Sequence, residues 1–213
     1  MAVSDRKAAD ADLLADLQAA GYLVRAVWDL REVGPEGIDI LIRHLVSGRH
    51  LSAGDASTIG QCLQSGKVPR RREVPIALLR QFRMQEDYLV RESLAGALSR
   101  LATKENTDEL VEIVRDLSQG DIRVLFFQKV YRLLGDKGLQ LWRDLVADPD
   151  PTIRVLASEA LCKLNDVDSV ERIRAARRAV TTSDQKEYLI DNHTKRLDKV
   201  LESLAQRRSV GGA

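Results

Sequence analysis

The stretch Asp148–Leu164 reads DPDPTIRVLASEALCKL, and its pattern decides the fold. Asp-Pro-Asp-Pro is a turn signal that cannot continue a helix. Behind it Ile153, Leu156, Ala157, Ala160, Leu161 and Leu164 recur at helical spacing. That spacing sets one apolar stripe on one helix. The small Ala157 and Ala160 in mid-stripe leave room for a second helix to approach closely.

The pattern returns upstream. Val90, Ser93, Leu94, Ala97, Leu98 and Leu101 match it position by position. Ile122, Leu125, Phe126, Val130 and Leu133 match it again, with Lys129 as the one polar departure. Each copy carries an arginine in second place: Arg91, Arg123 and Arg154. Each is followed by a second predicted helix, over Asp108–Ser118, Asp136–Ala147 and Asp168–Val180. Thr107 or Asp108, and Asp136, are suited to N-cap these helices.

Further out the copies are looser. Residues 5–20 predict a first helix, capped by Ser4, striped by Leu13, Leu14 and Leu17, and ended by Gly21. Tyr22–Val33 predicts a helix with Leu23, Ala26, Val27 and Leu30 on one face, stopped by Gly34-Pro35. Its partner covers Glu36–Val46, with Ile38, Leu41, Ile42 and Leu45 in register. Ser52 caps a helix carrying Ala56, Ile59 and Leu63. The basic segment Ser65–Arg72, SGKVPRRR, follows; it reads either as a solvated loop or as an anion or nucleic-acid contact. A helix with Leu78, Leu79 and Phe82 comes next. Ser183–Gln206 predicts a long, more polar last helix, with Ser183 as N-cap and Asp184 in its first turn. RRSVGGA has no stripe and is expected to fray.

The paired helices, with D-P-x-P and R-x-x-A-x-x-A-L in Asp148–Leu164, resemble the HEAT repeat, in its short form of about 30 residues. The resemblance covers Tyr22–Val180. It implies a right-handed α-solenoid of about five helix hairpins, with first helices convex and second helices concave. It also gives Asp87, Asp121, Asp148, Arg91, Arg123 and Arg154 a structural role, as a ladder between repeats. Physics points the same way, because one hairpin cannot bury its own stripe and neighbours must stack on it. The expectation is therefore an all-α chain forming a single domain, 1–213. It has an N-terminal capping helix (1–21), repeats (22–180), and a C-terminal helix with a frayed tail (181–213).

Composition bounds the function. The 213 residues hold 33 Lys and Arg against 32 Asp and Glu, a net charge of +1. That balance lacks the basic field typical of an obligate nucleic-acid binder. Two cysteines, Cys62 and Cys162, without a CxxC suggest a reducing compartment. No apolar run reaches membrane-span length, and the N-terminus has charges where a signal peptide needs apolar residues. A cytoplasmic protein with no membrane contact is expected.

One feature of the second helices points to partners. Aligned on their apolar positions, all five place arginine at the same point: Arg43, Arg80, Arg115, Arg143 and Arg174. At about 100° per residue this point faces away from the stripe. Such a row reads either as a partly self-neutralised solvated face, with Asp116 and Asp144 beside two members, or as a stripe that binds an acidic protein surface or peptide.

No catalytic constellation is found, and no cofactor or metal is expected. His44 and His50 do not share a helix face well, and no ligand-spaced carboxylate or Cys accompanies a histidine. Asp191-Asn192-His193 has no nucleophile motif beside it and reads as a polar helix face. Trp142 and Trp28 read as packing residues. Gly96 inside a helix implies close packing. A non-catalytic protein-binding scaffold is thus the first reading. An alkylpurine DNA glycosylase of the HEAT-like type, or a DNA-backbone binder, is the second. A bilin-lyase-like protein, by fold analogy alone, is the third.

Overall fold

The computed structural model describes residues 12–30, 33–47, 51–180 and 187–211. Every regular element among them is helical, as expected of an all-α chain. In chain order they are α1 (12–19), α2 (Pro35–Val46), α3 (Ala53–Ser65), α4 (Glu73–Met84), α5 (Tyr88–Leu101), α6 (Thr107–Arg115), α7 (Ile122–Leu134), α8 (Leu139–Leu145), α9 (Pro151–Lys163), α10 (Val170–Ala179) and α11 (Glu187–Gly211). Short 3-10 turns lie between several of them. The chain divides into two compact units: Met1–Leu110 with Gly120–Lys129, and Val111–Gln119 with Val130–Ala213.

In the first unit the Ser52 cap forms where the sequence places it, and Asp87 adds a cap that the sequence reading did not assign. The Ser52 hydroxyl accepts the Asp55 N–H at 3.1 Å, and the Asp87 carboxylate accepts the Val90 N–H at 3.1 Å. Pro35 at the first position of α2 fits its fixed φ to the helix start. The apolar residues Ile38, Leu41, Ile42 and Leu45 of α2, and Ala56, Ile59 and Leu63 of α3, are buried. The α3 helix packs on α5, and α4 packs on both α2 and α5. At the α3–α5 crossing Gly60 meets backbone. A Cβ there would lie 2.7 Å from the Ser93 carbonyl carbon. Nearby, the Ser57 and Ser93 hydroxyls meet at 3.1 Å. Gly96 is closely packed as expected, against the Gln64 side chain. Phe82 of α4 meets Phe126 of α7 edge-on at 5.6 Å, and the Arg91 guanidinium lies 4.6 Å from the Phe82 ring centre.

The expected helix over Tyr22–Val33 does not form. Gly21, at φ +85°, closes α1 in a Schellman cap: Tyr22 N–H donates to Leu17 O and Gly21 N–H to Gln18 O, both at 3.0 Å. Beyond it the Asp29 carboxylate takes the N–H groups of Arg25 and Ala26 at 3.1 Å, leaving only a 3-10 turn at Val27–Asp29. Val24, Val27 and Leu30 are buried, but Leu23 is fully exposed. Gly34, expected to end that helix, instead N-caps α2.

In the second unit α9 packs against α8, α10 and α11, and α10 packs on α11. Because α9 is enclosed on several sides, burial exceeds the single expected stripe. Val155 and Ser158 are buried along with Ile153, Ala157 and Leu161. Trp142 is fully buried, as expected, with its indole N–H 3.3 Å from Gly135 O and its ring 5.8 Å from Tyr131. Charged pairs tie α11 down: Arg196 to Glu159 at 2.8 and 2.9 Å, and Arg177 to Asp198 at 3.0 and 3.3 Å.

Other expectations shift. In α7, Leu125 is exposed while Phe127 is buried. Leu117 falls beyond the end of α6, in a 3-10 turn, and is exposed. Thr107 and Asp108 lie inside the first turn of α6 rather than before it, and Asp136 sits in a 3-10 turn. The α11 helix continues through Gly211, past the expected end at Gln206. Ser4, His50, Ser183 and Asp184 lie outside the described residues, as does the side chain of Trp28.

Candidate functional site

The five arginines singled out in the sequence lie on α2, α4, α6, α8 and α10, all sit beside buried apolar neighbours, and each has a partner. In the first unit, Arg43 is largely exposed and lies 3.4 Å from Asp16 of α1. The same carboxylate meets His44 Nε2 at 2.8 Å. That hydrogen bond to His44, with the nearby charges of His44 and Arg43, holds the Asp16 carboxyl below the usual carboxylate range. Arg80 donates to Leu45 O at the end of α2 at 3.0 Å. In the second unit, Arg115 reaches Asp144 of α8 at 3.3 Å, and Arg174 pairs with Glu171 one turn earlier on α10. Arg143 makes a two-point pair with the buried Asp166.

The five arginines are therefore of two kinds. Arg43, Arg115 and Arg174 keep side-chain exposures of 67%, 55% and 52%, so their guanidiniums remain open to a second carboxylate. Arg143 is 26% exposed and committed to Asp166. Arg80 fastens α4 to the end of α2.

The structure also assembles a basic cleft in the first unit, of about 740 Å³. Its cations come from three stretches: Arg70, Arg71 and Arg72 before α4, Arg100 and Lys104 around the end of α5, and Lys129 of α7. Val68, Pro69, Pro75 and Leu101 give it apolar walls. Two cations serve the frame. Arg100 donates to Gln64 O at 2.5 Å, closing the end of α3, and Lys129 donates to Arg100 O at 3.0 Å. Arg71 pairs with Asp39 and Arg72 with Glu105, each at 2.6 Å. Arg70 and Lys104 are exposed and have no ion-pair partner among the described residues. SGKVPRRR was the only sequence signal for this cleft, because Arg100 and Lys129 join it through tertiary packing.

The remaining candidates are structural. His193 does not lie on a polar helix face; it is buried, because α11 turns it toward α9. Burial, with Arg196 and Arg154 nearby, lowers its pKa, against the opposing pull of Asp150. Cys62 is buried, which pushes its thiol up to about 11 and makes it a poor nucleophile. Arg154 donates to Asp148 O at 2.8 Å and Pro149 O at 3.1 Å, bracing the turn that leads into its own helix. Among the described residues no group of three or more His, Cys, Asp or Glu is placed to hold a metal ion. Among them, too, no helix is long and apolar enough to cross a membrane. Comparison with protein-family models, curated proteins and solved structures finds no match for the chain.

Proposed function

We propose that the chain is a non-catalytic protein-binding scaffold of the cytoplasm. In this reading it is a right-handed α-solenoid of short HEAT-like repeats that engages acidic surfaces or peptides through the cations of its second helices. One observation carries the reading. Arg43, Arg115 and Arg174 stay more than half exposed at equivalent places on their helices, while the apolar residues beside them are buried. Arg80 and Arg143 occupy the same register and brace neighbouring segments. The opposing carboxylates are exposed at Asp16, Asp144 and Glu171, and such surface pairs are weak. An arriving carboxylate can therefore exchange for them at small cost and gain a forked contact.

The test is a parallel titration with a poly-glutamate peptide and with duplex DNA at low and physiological salt. The reading expects saturable peptide binding that weakens with salt, and no tight duplex binding. Tighter binding to the duplex favours the DNA-backbone alternative.

A further inference from the structure

The basic cleft of the first unit carries a sharper assignment, which rests on the scaffold reading. Its chemistry has three parts. Arg70 and Lys104 supply cations with no ion-pair partner among the described residues. Arg72 holds Glu105 in an ion pair that is exposed on both sides, 77% and 52%. Between the charges stand Val68, Pro69 and Leu101. We propose that this cleft is a docking site for a short acidic segment of a protein partner, and that Glu105 is an internal stand-in whose place on Arg72 an incoming carboxylate takes.

The stand-in follows from geometry and exposure. Glu105 lies in the 3-10 turn after α5, and it already meets the Arg72 Nε at 2.6 Å, the contact a ligand carboxylate would make. A pair so exposed contributes little to the fold, so exchange leaves the frame intact. The frame itself is held by other contacts, Arg100 to Gln64 O and Arg71 to Asp39. A peptide suits the cleft better than a nucleic acid. The lining holds no aromatic side chain on which a base could stack, and its apolar walls suit aliphatic side chains. A volume of about 740 Å³ is that of a small-ligand cleft, which admits a short segment and not a domain. An extended peptide that alternates acidic and apolar residues offers both chemistries at once.

The test uses the full chain and a fluorescein-labelled eight-residue peptide of alternating glutamate and valine, read by fluorescence anisotropy. Binding should saturate and weaken as salt is raised. Arg70→Gln with Lys104→Gln should weaken it about tenfold, the expected effect of losing two exposed ion pairs. Glu105→Gln should tighten it several-fold, because Arg72 is released. Circular dichroism melts confirm that the variants fold. No binding by the wild type, or equal binding by the double variant, overturns the docking site. Unchanged or weaker binding by Glu105→Gln overturns the stand-in. Tighter binding of an oligonucleotide of equal charge overturns the peptide assignment. Arg43→Glu with Arg115→Glu and Arg174→Glu is run alongside. If this triple variant loses the peptide and the cleft variants do not, the cleft fails while the scaffold reading stands.

Discussion

Arg143 grips Asp166 at two points: Nε donates to Oδ2 at 2.9 Å and Nη2 to Oδ1 at 2.5 Å. The carboxylate also accepts the Ser169 hydroxyl at 2.5 Å. The pair joins α8 to the segment between α9 and α10. The Arg143 hydrogen bond, with help from Ser169, holds the Asp166 carboxyl below its ordinary 3.8 despite burial. A carboxyl depressed in the fold stabilises it above the unfolded pKa, and that stabilisation is lost as pH falls through the folded value. Melting temperature should therefore drop below about pH 4. Asp166→Asn should flatten that acid limb. At pH 7 it should lower the melting temperature by about 4–8 °C, corresponding to about 2 kcal/mol in a chain of this length.

His193 provides a second and separate pH window. Its pKa is lowered chiefly by burial, with Arg196 and Arg154 adding to the effect and Asp150 opposing it. The unfolded chain thus binds a proton at a pH where the folded chain does not. Stability should be full above pH 6.5 and should fall as pH drops below it toward the folded value. Melts at pH 7.5 and 5.5 should differ for the wild type, and His193→Leu should narrow the difference. An unchanged difference would place the titrating group elsewhere.

Two glycines test the packing by contrast. A Cβ at Gly60 would meet the Ser93 backbone at 2.7 and 2.8 Å, whereas the three atoms nearest to one at Gly96 all belong to the Gln64 side-chain end. Gly60→Ala should cost about 1–3 kcal/mol through overpacking, despite alanine's better helix propensity. Gly96→Ala should be neutral or stabilising by up to about 1 kcal/mol, because Gln64 can move. Chemical denaturation of the two variants gives the comparison.

Leu161 is fully buried on α9. Leu161→Ala should cost about 2–5 kcal/mol, and Leu161→Asp should disrupt the second unit by burying an unpaired carboxylate. A denaturation midpoint unchanged by Leu161→Ala would contradict the register of α9.

Local signals were legible in the sequence. Ser52 caps as read, and Ile38, Leu41, Ile42 and Leu45 are buried as spaced. Trp142 is core. Tertiary choices were not legible. At Tyr22–Val33 the helical spacing was present, but the Gly21 cap and the Asp29 carboxylate offered the backbone other partners. The Tyr22 hydroxyl also accepts the Gly37 N–H at 3.1 Å, which fixes the segment from outside. A stripe cannot report enclosure from several sides, so Val155 and Ser158 were missed. The arginine register was readable, but which members stay open depends on carboxylates such as Asp166, 23 residues from Arg143. The basic segment Ser65–Arg72 was legible, but the cleft it lines was not, because Arg100, Lys104 and Lys129 join it from elsewhere in the chain and share no period with it.

The central claim is that exposed arginines on the second helices hold an acidic protein partner. Its most direct test is affinity capture from nuclease-treated lysate by the wild type and by the Arg43→Glu, Arg115→Glu, Arg174→Glu variant. Captured proteins are identified and quantified by mass spectrometry. Arg143 is left intact, because reversing it would strand the buried Asp166. The account predicts an acidic partner recovered by the wild type, released by salt, and lost from the variant while its melting curve is preserved. Equal recovery by both proteins would contradict it.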